Sequence, residues 1–280
     1  MEGQEQTPPS GPKESAQTKP VNREFMTPAE KALGGVLTEA RRAMTTLADY
    51  AVANGADASK LDHLERVWNN DGFAVIQGKH MPPGMKAGTS PATGEVWISD
   101  EHVDLGTVYH ESIHRAAHLG RQASNTPSFK TQISEPYGFI NHGKGVIEAA
   151  EGNPLREYPE PDRSEVLKWW NEKINEDRAK LEEGLTEWAL MKTAGMTGKD
   201  GTVVNIEGRR LYAPQVAAVE TIKAKMQEQQ KLSTSQADAI LIQATVTGDW
   251  SNTIFNKIDR DDLSNILMID TPEAYPGQSW

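Results

Sequence analysis

The feature that most constrains this chain is a short stretch with two histidines and a glutamate, His110-Glu111-x-x-His114. Residues four apart lie on the same face of an α-helix, so both imidazoles can point at one metal ion. Glu111 follows the first histidine and can reach the open side of that ion, where a water molecule would bind. This spacing is the H-E-x-x-H signature of zinc hydrolases. The motif predicts His110 and His114 as metal ligands and Glu111 as the catalytic general base.

The residues around the motif favour a metal site over an ordinary amphipathic helix with two solvated histidines. Much of the surrounding segment is apolar, through Val103, Leu105, Val108, Tyr109, Ile113, Ala116, Ala117 and Leu119. Such a pattern indicates a buried helix. Buried polar groups without partners are costly, and a metal ion would supply partners for all three side chains.

A catalytic zinc site needs a third protein ligand and leaves the fourth position for water. His118 does not fit, because it lies two turns beyond His110, about 12 Å along the helix axis. A third histidine ten residues after the first is also absent, since position 120 is glycine. We expect His118 to lie instead at the C-terminal end of the helix, where a cation is favoured.

A better third ligand lies downstream, in the segment Leu181-Glu-Glu-Gly-Leu-Thr-Glu187. Here the chain resembles the gluzincins, the superfamily that holds thermolysin and the zinc aminopeptidases. Their third ligand is a glutamate on a later helix, followed by Gly or Ala, with an acidic residue four positions on. The resemblance implies Glu183 as the ligand and Glu187 as the acceptor for the far nitrogen of His110. Metal-bound histidines usually donate their other N–H to a carboxylate, which agrees with this assignment.

Other acidic residues stay open as the third ligand. The spacer from His114 to Glu183 is long, so the alternatives are Glu182, Glu148 and Glu151. A helix rich in lysine and glutamate can also carry such residues simply as a solvated acidic face.

The same resemblance implies an α+β fold, mostly helical and zincin-like, with a small antiparallel sheet beside the active-site helix. Zincin-like folds place a sheet edge beside the active site, where an extended substrate can add as a strand. The alternating segment Glu95–Ser99 is the candidate for that edge, although it could also be a strand with no substrate role. Ser99 or Asp100 is predicted to cap the following helix.

A tyrosine is the first candidate for stabilising the reaction's oxyanion. The order of glutamate helix, tyrosine and apolar helix is similar to many bacterial gluzincin-like domains, in which Tyr or His donates this hydrogen bond. Tyr212 is the first choice, with His142 and Tyr137 as alternatives. A packed aromatic with a locally satisfied hydroxyl is an equally good interpretation of Tyr212.

Four segments are predicted along the chain. Residues 1–26 are rich in Pro, Gln and Ser and are predicted to be a disordered leader. Residues 27–71 form a helical hairpin, which begins at the capping sequence Thr27-Pro-Ala-Glu30. Residues 72–270 form the zincin-like metallopeptidase domain, and residues 271–280 a loose tail. The leader fits either a frayed terminus or a segment bound by a delivery apparatus or a chaperone.

Composition excludes several classes of protein. A net charge of −11 argues against a nucleic-acid partner. The absence of cysteine rules out disulfides and thiolate metal sites. Apolar runs fall well short of a membrane span, and the N-terminus lacks the pattern of a Sec-type signal peptide.

These features predict a zinc-dependent metalloendopeptidase with one Zn²⁺ per chain and a protein or peptide substrate. The leader, the missing signal peptide and the lack of cysteine favour a bacterial effector or toxin, made in the cytoplasm and secreted or injected by a non-Sec route. Two alternatives stay open. One is a housekeeping cytosolic metallopeptidase, and the other is a structural or peptide-binding module that holds zinc without cleaving.

Overall fold

A computed structural model describes residues 26–135, 137–141, 147–157, 159–160, 162–206 and 212–268. Residues 1–25 of the predicted leader, the whole predicted tail and His142 lie outside the described residues.

The described chain is mostly helical, as the sequence predicts. The α-helices are α1 (Pro28–Ala53), α2 (Leu105–Ser124), α3 (Phe129–Ser134), α4 (Asp162–Thr193), α5 (Ala213–Gln230), α6 (Thr234–Thr247) and α7 (Arg260–Met268). Helix α1 begins at the predicted capping box, in which Thr27 and Glu30 each accept a hydrogen bond from the other's backbone N–H. The second helix of the predicted hairpin is a 3₁₀ segment, Ala58–Trp68. Both pack on α2 and α6 and share one hydrophobic core with the rest of the chain.

The strands form two small sheets. They are β1 (Phe73–Ile76), β2 (Ala87–Thr89), β3 (Val96–Ser99), β4 (Phe139–Asn141) and β5 (Ile147–Ala149). The first sheet has the order β1-β3-β2, and the second is the antiparallel pair β4-β5. The α+β class predicted from the sequence is confirmed.

The first sheet differs from the prediction in two ways. It is mixed rather than antiparallel, because β1 runs parallel to β3 while β2 runs antiparallel to it. Strand β3 is also central, so the predicted substrate edge at Glu95–Ser99 is wrong. Strands β1 and β2 lie on opposite sides of β3, so both sides of β3 are hydrogen-bonded. The two edge strands are β1 and β2.

Helix α2 lies at the centre of the molecule, between α1, α4, α6 and the first sheet. Its side chains Val108, Tyr109 and Ile113 are completely buried. Asp104 caps the helix by accepting a hydrogen bond from the N–H of Thr107 at 2.9 Å. The predicted caps Ser99 and Asp100 are wrong, because Ser99 ends β3 and a short turn separates it from the helix.

His118 does not end α2, contrary to the prediction. The helix continues to Ser124 and closes on Asn125, which has a left-handed backbone with φ of 52°. His118 is therefore an internal residue, and its Nε2 contacts Gln122 at 2.8 Å. Its side chain is buried, and burial lowers its pKa. It does not serve as a cationic cap.

Helix α4 is one continuous helix of 32 residues, which carries the downstream acidic motif to α2. Helix α5 packs closely along it. None of the helices in the described part of the chain is long and apolar enough to cross a bilayer.

Candidate metal centre

Helix α2 places the two motif histidines side by side. His110 and His114 are four residues apart, and their Nε2 atoms lie 3.2 Å from each other. Both side chains are largely buried, with 7% and 10% of their surface exposed. Two neutral imidazoles that face each other through their lone pairs would repel. The arrangement therefore requires a proton or a metal cation between the rings.

Helix α4 brings Glu183 to the same point, as the resemblance implies. Its Oε2 lies 3.2 Å from Nε2 of His110 and 3.5 Å from Nε2 of His114. Bonds of about 2.0–2.2 Å to a tetrahedral zinc ion place neighbouring donor atoms about 3.3–3.5 Å apart. The three atoms therefore have the spacing of one face of a zinc tetrahedron. Oε2 of Glu183 is also buried and accepts no well-directed hydrogen bond from the described residues, so a cation would satisfy it.

Two further carboxylates on α4 face the far nitrogens of the histidines. Oε2 of Glu187 lies 3.4 Å from Nδ1 of His110, and Glu187 is completely buried. Oε1 of Glu182 lies 3.5 Å from Nδ1 of His114, while its Oε2 accepts a hydrogen bond from Arg178 at 2.8 Å. Each ring is thereby turned with Nε2 toward the common centre.

These positions favour Glu183 over the alternatives as the third candidate ligand. Glu182 faces Nδ1 of His114 rather than the centre of the cluster, a position that the sequence did not indicate. Glu148 on β5 and Glu151 in the following turn are exposed. Within the described residues, the one group able to hold a metal ion consists of His110, His114 and Glu183.

The electrostatics of the cluster favour positive charge at its centre. Burial lowers the pKa of His110, but its contacts with Glu183 and Glu187 outweigh burial, and the pKa lies above its ordinary value. The pKa of His114 is raised further, since Glu182 and Glu183 again outweigh burial. Burial raises the pKa of Glu183, yet the two histidines hold it well below its usual range. A divalent cation bound at the two Nε2 atoms would provide the same positive charge.

Glu111 lies beside this centre and is held by a residue that sequence reasoning missed. The hydroxyl of Thr89 contacts Oε2 of Glu111 at 2.8 Å and its carbonyl oxygen at 3.2 Å. Thr89 is the last residue of the edge strand β2. No motif marks this threonine, because its role depends on how β2 pairs with β3 and packs on α2.

The ring of Tyr212 lies next to His110, one of the candidate metal ligands. Its ring stacks on His110, with 5.8 Å between ring centroids and 17° between the planes. Burial, followed by the charges of Glu183 and Glu111, raises the pKa of Tyr212 to about 12. Its hydroxyl is therefore protonated at neutral pH and able to donate a hydrogen bond.

Tyr137, one of the two alternative donors, is not brought to this point. Tyr137 donates its hydroxyl to Oδ2 of Asp177 at 2.6 Å, and Asp177 is also paired with Lys173. Tyr137 thus belongs to a separate buried cluster, and His142 lies outside the described residues.

Comparison of the chain with models of known protein families, with curated proteins and with solved structures found no match. The likeness to the gluzincins therefore depends on two short motifs and on the arrangement of their side chains around one point.

Proposed function

We propose that this protein is a zinc-dependent metalloendopeptidase. The observation that carries the proposal is the triangle formed by Nε2 of His110, Nε2 of His114 and Oε2 of Glu183, with sides of 3.2, 3.2 and 3.5 Å. Two imidazoles and one carboxylate are a ligand set of catalytic zinc, which keeps its fourth position for water. Glu111 and Tyr212 beside that triangle supply a base and a hydrogen-bond donor.

The roles of the side chains follow from their positions. Bound zinc would lower the pKa of a water molecule and polarise the scissile carbonyl. Glu111 accepts the proton of the attacking water and passes it to the leaving amine. Thr89 keeps the Glu111 carboxylate in place, and Tyr212 donates a hydrogen bond to the oxyanion of the substrate. Glu187 and Glu182 hold the histidine rings in their orientation.

The edge strand β2 is the element best placed to bind a peptide. It ends at Thr89, next to the base, and within the described sheet only one of its sides is paired, with β3. An extended peptide can add to such an edge through main-chain hydrogen bonds. In this proposal β2 takes the substrate role that the sequence assigned to Glu95–Ser99.

Replacement of Glu111 by glutamine tests the proposal. We expect the zinc content to stay near one per chain, while kcat on a peptide library falls by roughly 10²–10⁴-fold, the usual contribution of general acid–base catalysis. The matched control is Glu65→Gln, which changes an exposed side chain of the 3₁₀ segment and should retain both zinc and activity. Undiminished turnover by the Glu111→Gln protein would rule out this mechanism.

The zinc-loaded wild-type protein separates the enzyme from its non-catalytic alternative. If it cleaves no peptide from a diverse library, the peptidase proposal is wrong and a zinc-holding structural or peptide-binding module takes its place. Export as a bacterial effector or toxin stays a prediction from the sequence.

A further inference from the structure

Three basic side chains gather beside the metal centre of a protein whose net charge is −11. They are Arg121 on α2, Lys130 on α3 and Arg178 on α4, and we call them the basic cluster. Burial lowers the pKa of Arg121, nearby Glu182 opposes that shift, and Arg178 adds to it. Burial also lowers the pKa of Lys130, again with a contribution from Arg178. Arg178 therefore lies close enough to act on each of the other two cations.

Arg121 is held rigidly within the basic cluster. Its guanidinium lies 3.7 Å from the centre of the Phe129 ring, and Phe129 in turn stacks on Trp250. Its stem packs against the end of α6, since a Cβ added to Gly248 would lie 2.8 Å from Cγ of Arg121. A stacked guanidinium keeps a defined plane and can bind a carboxylate through two hydrogen bonds.

In the described part of the chain Arg121 forms no ion pair, and Glu182, the carboxylate whose charge acts on it, is already paired with Arg178. Arg178 pairs with Glu182 at 2.8 Å, whereas no carboxylate in the described part of the chain lies within ion-pair distance of Arg121. Partly buried charges normally have such a partner. An anionic group of a bound ligand would supply such a partner for the Arg121 guanidinium.

The separation between Arg121 and the metal centre along α2 sets how far that group would lie from the metal. Arg121 follows His114 by seven residues, which is two turns on the same helix face and about 10 Å along the axis. An extended peptide advances about 3.3 Å per residue. A peptide that runs from the metal along α2 would therefore bring an anionic group to Arg121 about three residues from the scissile bond.

We propose that Arg121, assisted by Arg178, forms a subsite for a carboxylate of the peptide substrate. This inference deepens the proposed function and rests on it for the identity of the ligand. The carboxylate belongs either to a Glu or Asp side chain or to the C-terminus of the peptide.

Peptide binding to the zinc-loaded Glu111→Gln protein tests the subsite without requiring turnover. The probes are amidated peptides that carry a neutral fluorophore and a single Glu at successive positions, each paired with a Gln peptide. By fluorescence anisotropy, the Glu peptide should bind about tenfold more tightly at one position, as expected for a charge-assisted hydrogen bond. Adding Arg121→Gln should reduce that ratio to within about twofold of one.

Three controls define the result. Arg41→Gln removes an exposed arginine that pairs with Glu65, and the Glu preference should persist. Arg121→Lys keeps the charge without the planar fork, and we expect part of the preference to remain. A zinc content near one per chain in the Arg121→Gln protein shows that its metal centre is intact.

Gln peptides with free and amidated C-termini identify the source of the carboxylate, since tighter binding of the free acid assigns the carboxylate to the C-terminus.

The subsite is rejected if no peptide shows a preference for Glu or for a free C-terminus, or if the preference survives Arg121→Gln. Turnover of the same peptides by the wild-type protein is measured separately. Cleavage without any acidic preference would reject the subsite alone. Arg121-dependent binding without cleavage would support the subsite and reject the peptidase.

Discussion

At the scale of single residues, the contact between Thr89 and Glu111 connects the sheet to the proposed chemistry. Glu111, the proposed general base, lies on the central helix, but its Oε2 accepts a hydrogen bond from the hydroxyl of Thr89 on the edge strand β2. A carboxylate that must take and release a proton benefits from a fixed position. The threonine acts on Glu111 and not on the metal, so its removal should change the rate rather than metal binding.

Replacement of Thr89 by valine should lower kcat roughly fivefold to tenfold, which corresponds to a hydrogen bond of about 1–1.5 kcal/mol. Zinc content should stay near one per chain and KM should change little, whereas Thr89→Ser should restore kcat because it keeps the hydroxyl. Thr93→Val, on the exposed turn between β2 and β3, is the control. Equal values of kcat for the valine and serine proteins would contradict this role.

At the scale of elements, Gly184 sets the distance between α4 and α5. A Cβ at Gly184 would lie 2.7 Å from the carbonyl oxygen of Gln215, inside any normal contact distance. The glycine next to Glu183 thus allows the first turn of α5 to approach, and Tyr212 immediately precedes that turn. The sequence pattern allows Gly or Ala after the ligand, while the packing in this protein requires Gly.

Gly184→Ala should therefore destabilise the protein by about 1–3 kcal/mol, the cost of overpacking a close contact. The matched control is Gly35→Ala in α1, where an added Cβ meets nothing within 4 Å. That change should stabilise the helix by about 0.5–1 kcal/mol. Unfolding in urea measures both free energies, and equal effects at the two glycines would refute the close approach of α5.

At the scale of the whole molecule, one buried carboxylate joins four helices. Asp238 on α6 is completely buried and pairs with Lys192 of α4 at 2.7 Å and Lys223 of α5 at 3.0 Å. It also accepts a hydrogen bond from Tyr50 of α1 at 3.2 Å. Three of these helices, α1, α4 and α6, pack on α2, so the cluster contributes to the frame that holds the candidate metal centre.

Asp238→Asn should reduce the free energy of unfolding by about 3–5 kcal/mol, because it leaves two lysines beside a neutral group. Asp49→Asn is the control. Its partner Lys199 is 82% exposed, and the change should cost less than about 1 kcal/mol. Similar losses of unfolding free energy in the two variants would show that the buried ion pairs of Asp238 stabilise the protein no more than an exposed ion pair does.

The same carboxylate predicts a pH dependence. Burial raises the pKa of Asp238, but Lys192 and Lys223 outweigh it and hold the pKa below its ordinary value. A carboxyl group with a lowered folded pKa stabilises the protein above its unfolded pKa of about 3.9, and this contribution is lost as the pH falls through the folded value. The difference in unfolding free energy between wild type and Asp238→Asn should be constant near neutrality and shrink below about pH 4.

Metal removal should also be visible in the stability of the whole chain, since the proposed ligands join α2 to α4. Zinc at a hundred times its Kd would stabilise the folded state by about 2.7 kcal/mol. For a protein of this size we expect Tm to rise by roughly 5–10 °C on zinc addition and to fall on chelation. His114→Ala should abolish the response, and an unchanged zinc-dependent rise in that variant would place the metal elsewhere.

The sequence by itself determined those features that depend on local periodicity. His110 and His114 share a helix face because they are four residues apart, and the same spacing separates Glu183 from Glu187. Burial of α2 follows from its apolar residues, and the start of α1 follows from Thr27 and Glu30. These interactions span less than two helical turns, so the order of residues is enough to predict them.

Only the tertiary structure decided which distant groups meet. Glu182 and Glu183 are adjacent in sequence, yet the crossing of α4 over α2 turns one toward Nδ1 of His114 and the other toward both Nε2 atoms. Strand pairing put β2 at an edge of the sheet and placed Thr89 on Glu111, whereas the sequence favoured Glu95–Ser99 as the edge. Contacts of this kind join elements far apart along the chain, and their register is set by packing of the whole core rather than by any local pattern.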